Sequence, residues 1–216
     1  MHRQILYKGR RGFVISETED SVTALFTPPL LVDGGIEYTL RCPRSEVTFL
    51  PCPASFTVFS FDDVLKLCDN LIYLIYNELE KRGVLDSDFL IVGVLRSGGI
   101  PALILSQLLE KKVDFVGVRF YEALGLHGET PLLYRDVNDL PDVVVLVDDI
   151  VDSGATMSLV STSLQKRCRE LVTASLLTKR PDLPEVFAKK VPSESWVVFP
   201  WDIEYRALMG VENESR

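Results

Sequence analysis

The sequence predicts an α/β fold: a parallel sheet with helices on both faces, preceded by a small β-rich N-terminal appendage. Two observations carry this. From Ser60 onward, apolar runs of strand length alternate with stretches of helical periodicity, the order that builds parallel sheets. Before that point, short β-forming runs follow one another with only turn residues between them.

The appendage takes residues 1–55 and the main domain residues 56–216. Within the appendage, β-forming runs stand at 4–7, 12–15, 22–26, 36–40 and 46–50. Gly9, Pro28 and Pro29, Gly34 and Gly35, and Pro43 separate them. A barrel or meander fits this pattern. The appendage carries no chemistry of its own and reads as a cover or interface.

The main domain opens on a helix. Ser60 is a suitable N-cap, and Asp62 and Asp63 suit the positive helix end. Val64, Leu65, Leu67, Cys68, Leu71, Ile72, Ile75 and Leu79 recur at helical spacing, and Gly83 ends the run. Next come a strand at 89–94, a loop at 96–99, a helix at 101–109 and a strand at 113–118. Residues 119–140 have weak periodicity and read as a long mobile loop or an irregular hairpin, the kind of segment that serves as a lid. A strand at 143–147, a loop at 148–155, a helix at 156–168, a strand at 172–177 and a short strand from Trp196 complete the order.

Composition narrows the function. The 216 residues are 47% hydrophobic and 25% charged, an ordinary globular balance. A net charge of -8 disfavours non-specific nucleic-acid binding. The four cysteines form no CxxC pair and there are two histidines, which disfavours a structural zinc site. No signal-peptide run and no membrane-length apolar segment stand out, so a cytoplasmic protein without a membrane partner is expected.

The decisive stretch is 143–156. Five apolar β-formers end at Asp148 and Asp149; Asp152, Ser153, Gly154, Ala155 and Thr156 then lead into a helix. Carboxylates at a strand end can accept hydrogen bonds from sugar hydroxyls or hold a hydrated Mg2+. The turn that follows offers free amides, a helix dipole and two hydroxyls, a cradle for phosphate. Together they describe a ribose 5-phosphate site. Response regulators and nucleotide hydrolases also end strands in paired aspartates. The helical prenyl-transfer enzymes carry DDxxD on a helix, whereas here it follows a strand.

This segment resembles the phosphoribosyl-diphosphate signature of the type I phosphoribosyltransferases, and the resemblance covers roughly residues 60–205. It implies a parallel-sheet core with a hood, a required Mg2+ and release of pyrophosphate. It makes Asp148 and Asp149 the ribose-hydroxyl pair and residues 152–156 the 5-phosphate loop. It makes Asp152 also the acceptor of the purine N7 proton. Arg96, Ser97, Gly98 and Gly99, again between strand and helix, resemble the pyrophosphate loop, although Ser97 separates the basic residue from the glycine pair. Arg119, Tyr121, His127 and Arg135 fall where the family has its lid.

Lys179, Trp196 and Val197 resemble the base site of the 6-oxopurine branch, which uses hypoxanthine, guanine or xanthine. An ammonium donates to a 6-oxo group, an indole stacks on a purine, and a backbone reads its edge. Asp202, with Asp148 and Asp149, is the candidate Mg2+ carrier. The expected partners are 5-phosphoribosyl 1-diphosphate, a purine base and a second copy of the chain. Two other readings stay open: a regulator that keeps this fold to sense nucleotide or activated sugar, and transfer to adenine, a pyrimidine or orotate.

Overall fold

The computed structural model describes residues 4–7, 10–32, 35–49, 55–122, 129–202 and 205. The chain divides into two compact units, residues 1–61 with 194–216, and residues 62–193.

In the first unit, β1 (Gln4–Tyr7), β2 (Arg10–Glu17), β3 (Ser21–Val32), β4 (Gly35–Pro43) and β5 (Thr48–Phe49) form an antiparallel sheet in the order β4-β3-β2-β1-β5. Alternate residues of its strands supply the core: Ile5 and Tyr7, then Val22, Ala24 and Phe26, with Cys42. Pro28 and Pro29 lie inside β3, where a turn was expected. Leu25 pairs with Thr39 and Leu30 with Glu37, so the residues between bulge out of the ladder. Proline has no N–H to give a ladder, and the bulge accommodates two of them.

A second pairing in this unit joins β6 (Ser55–Val58) in parallel to β13 (Ser195–Val198), with Trp196 opposite Phe56 and Val197 opposite Thr57. Phe199 stacks between Phe59, at 5.8 Å, and Trp201, at 4.6 Å with an interplanar angle of 11°.

The second unit is built on a six-stranded sheet ordered β12-β11-β10-β7-β8-β9. Its strands are β7 (Phe89–Leu95), β8 (Val113–Glu122), β9 (Glu129–Arg135), β10 (Val143–Val151), β11 (Glu170–Thr178) and β12 (Val186–Lys190). All neighbours run parallel except β8 and β9. Helix α1 (Phe61–Lys81) buries Val64, Leu67, Cys68, Leu71, Ile75 and Leu79 as one stripe. It stops at Gly83, φ +68°, whose N–H donates to Glu80 O while that of Val84 donates to Leu79 O. That crossed pair satisfies carbonyls the last turn would leave open.

Helix α2 (Gly99–Leu109) and helix α3 (Ala155–Leu164) flank the sheet. Leu90, Val92, Val94, Val144 and Leu146 pack with Met157, Val160 and Leu164 of α3. Strand residues alternate in direction, so Gly93 faces the other side, where a Cβ would come within 2.6 Å of Ala102 in α2. The helices therefore cover both faces, and Val143 to Val147 of β10 are fully buried. At roughly 1.5–3 kcal/mol for each buried aliphatic side chain, this strand is the anchor of the unit.

The irregular hairpin allowed for after 118 is present, and other boundaries differ from expectation. The two arms of the hairpin, β8 and β9, pair from Gly117 to Glu122; His127 lies outside the described residues. Helix α3 ends at Leu164 rather than 168. Strand β12 was not expected, because it is short, half-exposed and ends in Lys189 and Lys190, as edge strands do. Among the described residues no helix is long and apolar enough to cross a membrane.

Candidate active site

The strand order reverses between β7 and β10, since the chain leads from β7 outward to β8 and from β10 the other way to β11. Ligands of open α/β sheets bind at such a reversal, beyond the carboxyl ends of the strands. Pairing of β10 with β7 stops at Val147 opposite Gly93, whereas pairing with β11 runs on to Val151 opposite Thr178. Asp148 and Asp149 therefore sit in the strand, not in the expected loop, because β11 continues to hold it.

Both carboxylates are 8% exposed. Asp148 Oδ1 accepts the Asp149 N–H at 3.0 Å, and Asp149 Oδ1 accepts the Ile150 N–H at 2.9 Å. Burial, reinforced by the charge of Asp149, pushes the Asp148 carboxyl well above the usual carboxylate range. Among the described residues no lysine or arginine pairs with Asp148.

The turn from Arg96 to Gly98 joins β7 to α2 against this pair. A Cβ on Gly98 would lie 2.5 Å from Asp148 Oδ1 and 2.8 Å from Val94 O, so glycine is required by space. Gly98 and Gly99 are buried and Arg96 is exposed. The amides of Ser97 and Gly98 have no acceptor among the described residues, while that of Gly99 donates to Arg96 O. The Leu95–Arg96 peptide is cis.

After β10, Asp152 and Ser153 are exposed and Gly154 turns the chain with φ +84° into α3. The Ala155 N–H donates to Ser153 Oγ at 3.3 Å. The first-turn amides of Thr156 and Met157 have no carbonyl four residues back within the helix. Asp148, Asp152, Ser153, Gly154 and Thr156 line a cavity of about 160 Å³.

Parallel pairing of Val151 with Thr178 makes Asp152 and Lys179 the first residues beyond the ends of neighbouring strands. Lys179 Nζ lies 3.0 Å from Asp152 Oδ2, and the Lys179 N–H donates to Val151 O. Two predicted site residues far apart in sequence are thus in contact.

The other predicted residues belong to the first unit. Trp196 is 38% exposed, whereas Trp201 packs against Phe199 and Phe61. The two tryptophans thus differ: one is a packing residue, the other is partly exposed. Val197 is half-buried in the β6–β13 pair. Asp202 Oδ2 accepts the Phe199 N–H at 2.8 Å, and burial raises its carboxyl. In the hairpin, Arg135 pairs with Asp114 at 2.9 Å and the Arg119 guanidinium lies 6.0 Å from the Tyr134 ring centre.

Sequence reasoning passed over the turn after β11. There Arg180 Nη1 donates to Ser153 O at 3.0 Å, and Asp182 grips the same guanidinium. No motif marks these residues.

The fit to Mg2+ rests on the acidic pair. Among the described residues no three His, Cys, Asp or Glu side chains converge. A hard cation that keeps its waters needs only one or two carboxylates when phosphate oxygens supply the rest. Two adjacent buried carboxylates crowd negative charge that a cation would relieve, which suits that role.

A family model described as the phosphoribosyl transferase domain matches residues 60–207. The xanthine-guanine phosphoribosyltransferase of Cereibacter sphaeroides is 31% identical over 125 residues, covering 56% of this chain and 72% of that protein. The protein of the same name from Desulfotalea psychrophila is 32% identical over 124 residues, covering 56% and 76%. The crystal structure of a purine phosphoribosyltransferase from Pyrococcus horikoshii superimposes with a TM-score of 0.53 at 27% identity, covering 68% of this chain and 94% of that one. The chain belongs to the type I phosphoribosyltransferase family, and these curated relatives carry the name of its xanthine-guanine members.

Proposed function

We propose that the protein transfers the 5-phosphoribosyl group from 5-phosphoribosyl 1-diphosphate to a 6-oxopurine, giving the nucleoside monophosphate and pyrophosphate. The observation that carries this reading is the contact of Lys179 with Asp152, the first residue of the phosphate turn. A 6-oxopurine presents its O6 acceptor beside N7, so a cation and a carboxylate 3.0 Å apart match that edge. Adenine offers an amino group at the same place, which an ammonium repels. The names of the curated relatives point the same way.

The roles follow from the chemistry of each group. Asp148 and Asp149 accept from the ribose hydroxyls, and the turn 152–156 holds the 5-phosphate by its amides and hydroxyls. The turn of Arg96, Ser97, Gly98 and Gly99, with the open amides of Ser97 and Gly98, takes the diphosphate, whose charge grows as the bond at C1 of the ribose breaks. Base N9 attacks that carbon. Asp152 accepts the N7 proton as N9 becomes bonded, while Lys179 holds O6. Trp196 supplies a stacking face and Val197 a backbone reader. Mg2+, held by Asp148, Asp149 or Asp202, would neutralise charge on the diphosphate when bound. We assign the reaction to residues 56–216, in the cytoplasm, and expect a homo-oligomer, as is common in the family.

A base panel tests the proposal. Protein, Mg2+ and donor are mixed separately with hypoxanthine, guanine, xanthine, adenine, uracil and orotate, and nucleotide and pyrophosphate are quantified together. Turnover confined to the 6-oxopurines is expected. Turnover with adenine or a pyrimidine alone would discard the base assignment. Donor binding without turnover on any base would turn the reading to a sensor.

A further inference from the structure

The turn that follows β11 touches the turn that follows β10 through one side chain. Arg180 Nη1 donates to the Ser153 carbonyl at 3.0 Å. Its stem lies over Gly154: a Cβ there would be 3.7 Å from Nη1 and 3.9 Å from Cδ. The guanidinium is fixed from its other side by Asp182, with Nε 3.3 Å from Oδ1 and Nη2 2.5 Å from Oδ2. Such a two-pronged grip sets the plane of the guanidinium as well as its position.

The backbone of this turn is held too. The Thr178 hydroxyl, fully buried, accepts the Arg180 N–H at 2.9 Å and stands 2.6 Å from Arg180 O and 2.9 Å from Leu183 O. Leu183 closes over Gly154, its Cδ2 2.9 Å from where a Cβ would be. Arg180 is thus a placed residue, although its side chain is 48% exposed.

A trans peptide is planar, and its carbonyl and N–H point opposite ways. Drawing the Ser153 carbonyl toward Arg180 therefore turns the Gly154 N–H away from Arg180. That amide has no acceptor among the described residues. Gly154 is free to rotate more than any other residue type, so its peptide needs an external hold. Resting on the function proposed above, we infer that Arg180, clamped by Asp182, is a positioning residue for the donor: it fixes the Ser153–Gly154 peptide so that the Gly154 amide meets the 5-phosphate.

The test separates the two ends of the donor. Wild type, R180A, R180K and D182N are titrated with ribose 5-phosphate, which carries the 5-phosphate alone, and with pyrophosphate, which engages the other turn. Steady-state constants for donor and base are measured alongside, and thermal unfolding checks folding. In R180A the donor KM and the ribose 5-phosphate Kd should rise together, about tenfold, as for loss of one charge-assisted hydrogen bond. Pyrophosphate binding, the KM for base and kcat should stay near wild type. R180K should recover only part, because an ammonium cannot fork between Asp182 and Ser153. D182N should move the same constants less, and should add little on top of R180A. Ribose 5-phosphate binding unchanged in R180A, or a loss shared equally by pyrophosphate, overturns the inference. If R180A unfolds early, R180K and D182N decide by the same constants. Wild-type turnover with an unaffected R180A sinks this inference alone; a wild type that binds neither probe and turns over no base sinks the proposed function with it.

Discussion

Lys179 Nζ rests 3.0 Å from Asp152 Oδ2, and the lysine side chain is only 12% exposed where the aspartate is 68% exposed. The register of β10 with β11 enforces this meeting, because Val151 and Thr178, the residues just before them, are paired. A base that takes both groups must replace one ion pair by two hydrogen bonds along one edge, at N7 and at the exocyclic O6.

If Asp152 takes the N7 proton, its charge matters in the transition state and little in holding the donor. D152N keeps the size and loses the basicity. We expect kcat to fall roughly 10²–10⁴-fold, the range for a general acid–base group, with the donor KM close to wild type. Equal losses in kcat and donor affinity would remove the role from Asp152.

Lys179 makes a different prediction from the same contact. K179M keeps the aliphatic stem and removes the ammonium. The kcat/KM for 6-oxopurines should drop roughly 10–100-fold, since a hydrogen bond from a charged donor is lost. Donor binding should be spared. Unchanged selectivity between hypoxanthine and adenine in K179M would show that O6 is read elsewhere.

Gly98 tests how closely the turn after β7 must approach β10. G98A would put a methyl 2.5 Å from Asp148 Oδ1, 2.8 Å from Val94 O and 2.9 Å from Asp148 Cα. Two of those atoms are backbone and cannot swing aside. Overpacking of this kind costs about 1–3 kcal/mol, so the protein should fold with a lowered Tm. Turnover should fall far more than the Tm suggests, because the atom displaced belongs to the acidic pair. Near-normal kcat/KM in G98A would mean that Asp148 tolerates movement.

Much of this site is written in local sequence. Five apolar residues running into Asp148 and Asp149, then a small-residue turn, identify strand, carboxylates and cradle together, because each is set by neighbours in the chain. What sequence could not supply depends on partners across the sheet. The extension of β10 through polar residues follows from β11, and the edge strand β12 lacks an apolar run to announce it. The contact between Lys179 and Asp152 needs the register, and the hold of Arg180 on Ser153 needs the orientation of a single peptide. The separation of Trp196 from Trp201 by exposure likewise depends on Phe199, which takes one indole as a packing partner.

Asp148 should cost the protein stability. Its carboxyl is buried beside Asp149 and is pushed up by that burial, so at neutral pH its ionised form opposes folding. D148N keeps an oxygen to accept the Asp149 N–H. It should raise the Tm of the ligand-free protein at neutral pH, by about 2–4 °C for each kcal/mol regained in a chain of this size, while activity is lost. A lowered Tm would mean that the ionised pair is compensated by contacts stronger than its repulsion.

Glu78 should give the acid limb of the stability profile. Arg82 Nε lies 3.0 Å from Glu78 Oε1 and Lys81 Nζ 3.3 Å from Oε2. The hydrogen bond from Arg82 is the largest cause holding the Glu78 carboxyl below its ordinary value, with burial opposing it. Arg82 also donates to Leu171 O at 2.9 Å and contacts Glu170 and Glu185, so it ties the end of α1 to the starts of β11 and β12. A carboxyl lowered in the folded state binds fewer protons there than in the unfolded chain. Its stabilising contribution is therefore complete above the unfolded value, about pH 4.3 for glutamate, and is lost as pH falls from there through the folded value. Asp148 has the opposite sign, since a raised carboxyl weakens folding as pH rises above the unfolded value. E78Q should then lower stability at neutral pH and flatten the decline below about pH 4.3, leaving the slope above it unchanged. Urea unfolding of both proteins across that range measures the two limbs. An E78Q profile that runs parallel to wild type in acid would assign the acid loss to other carboxylates and leave Arg82 as a tie that works through Leu171 and its remaining partners.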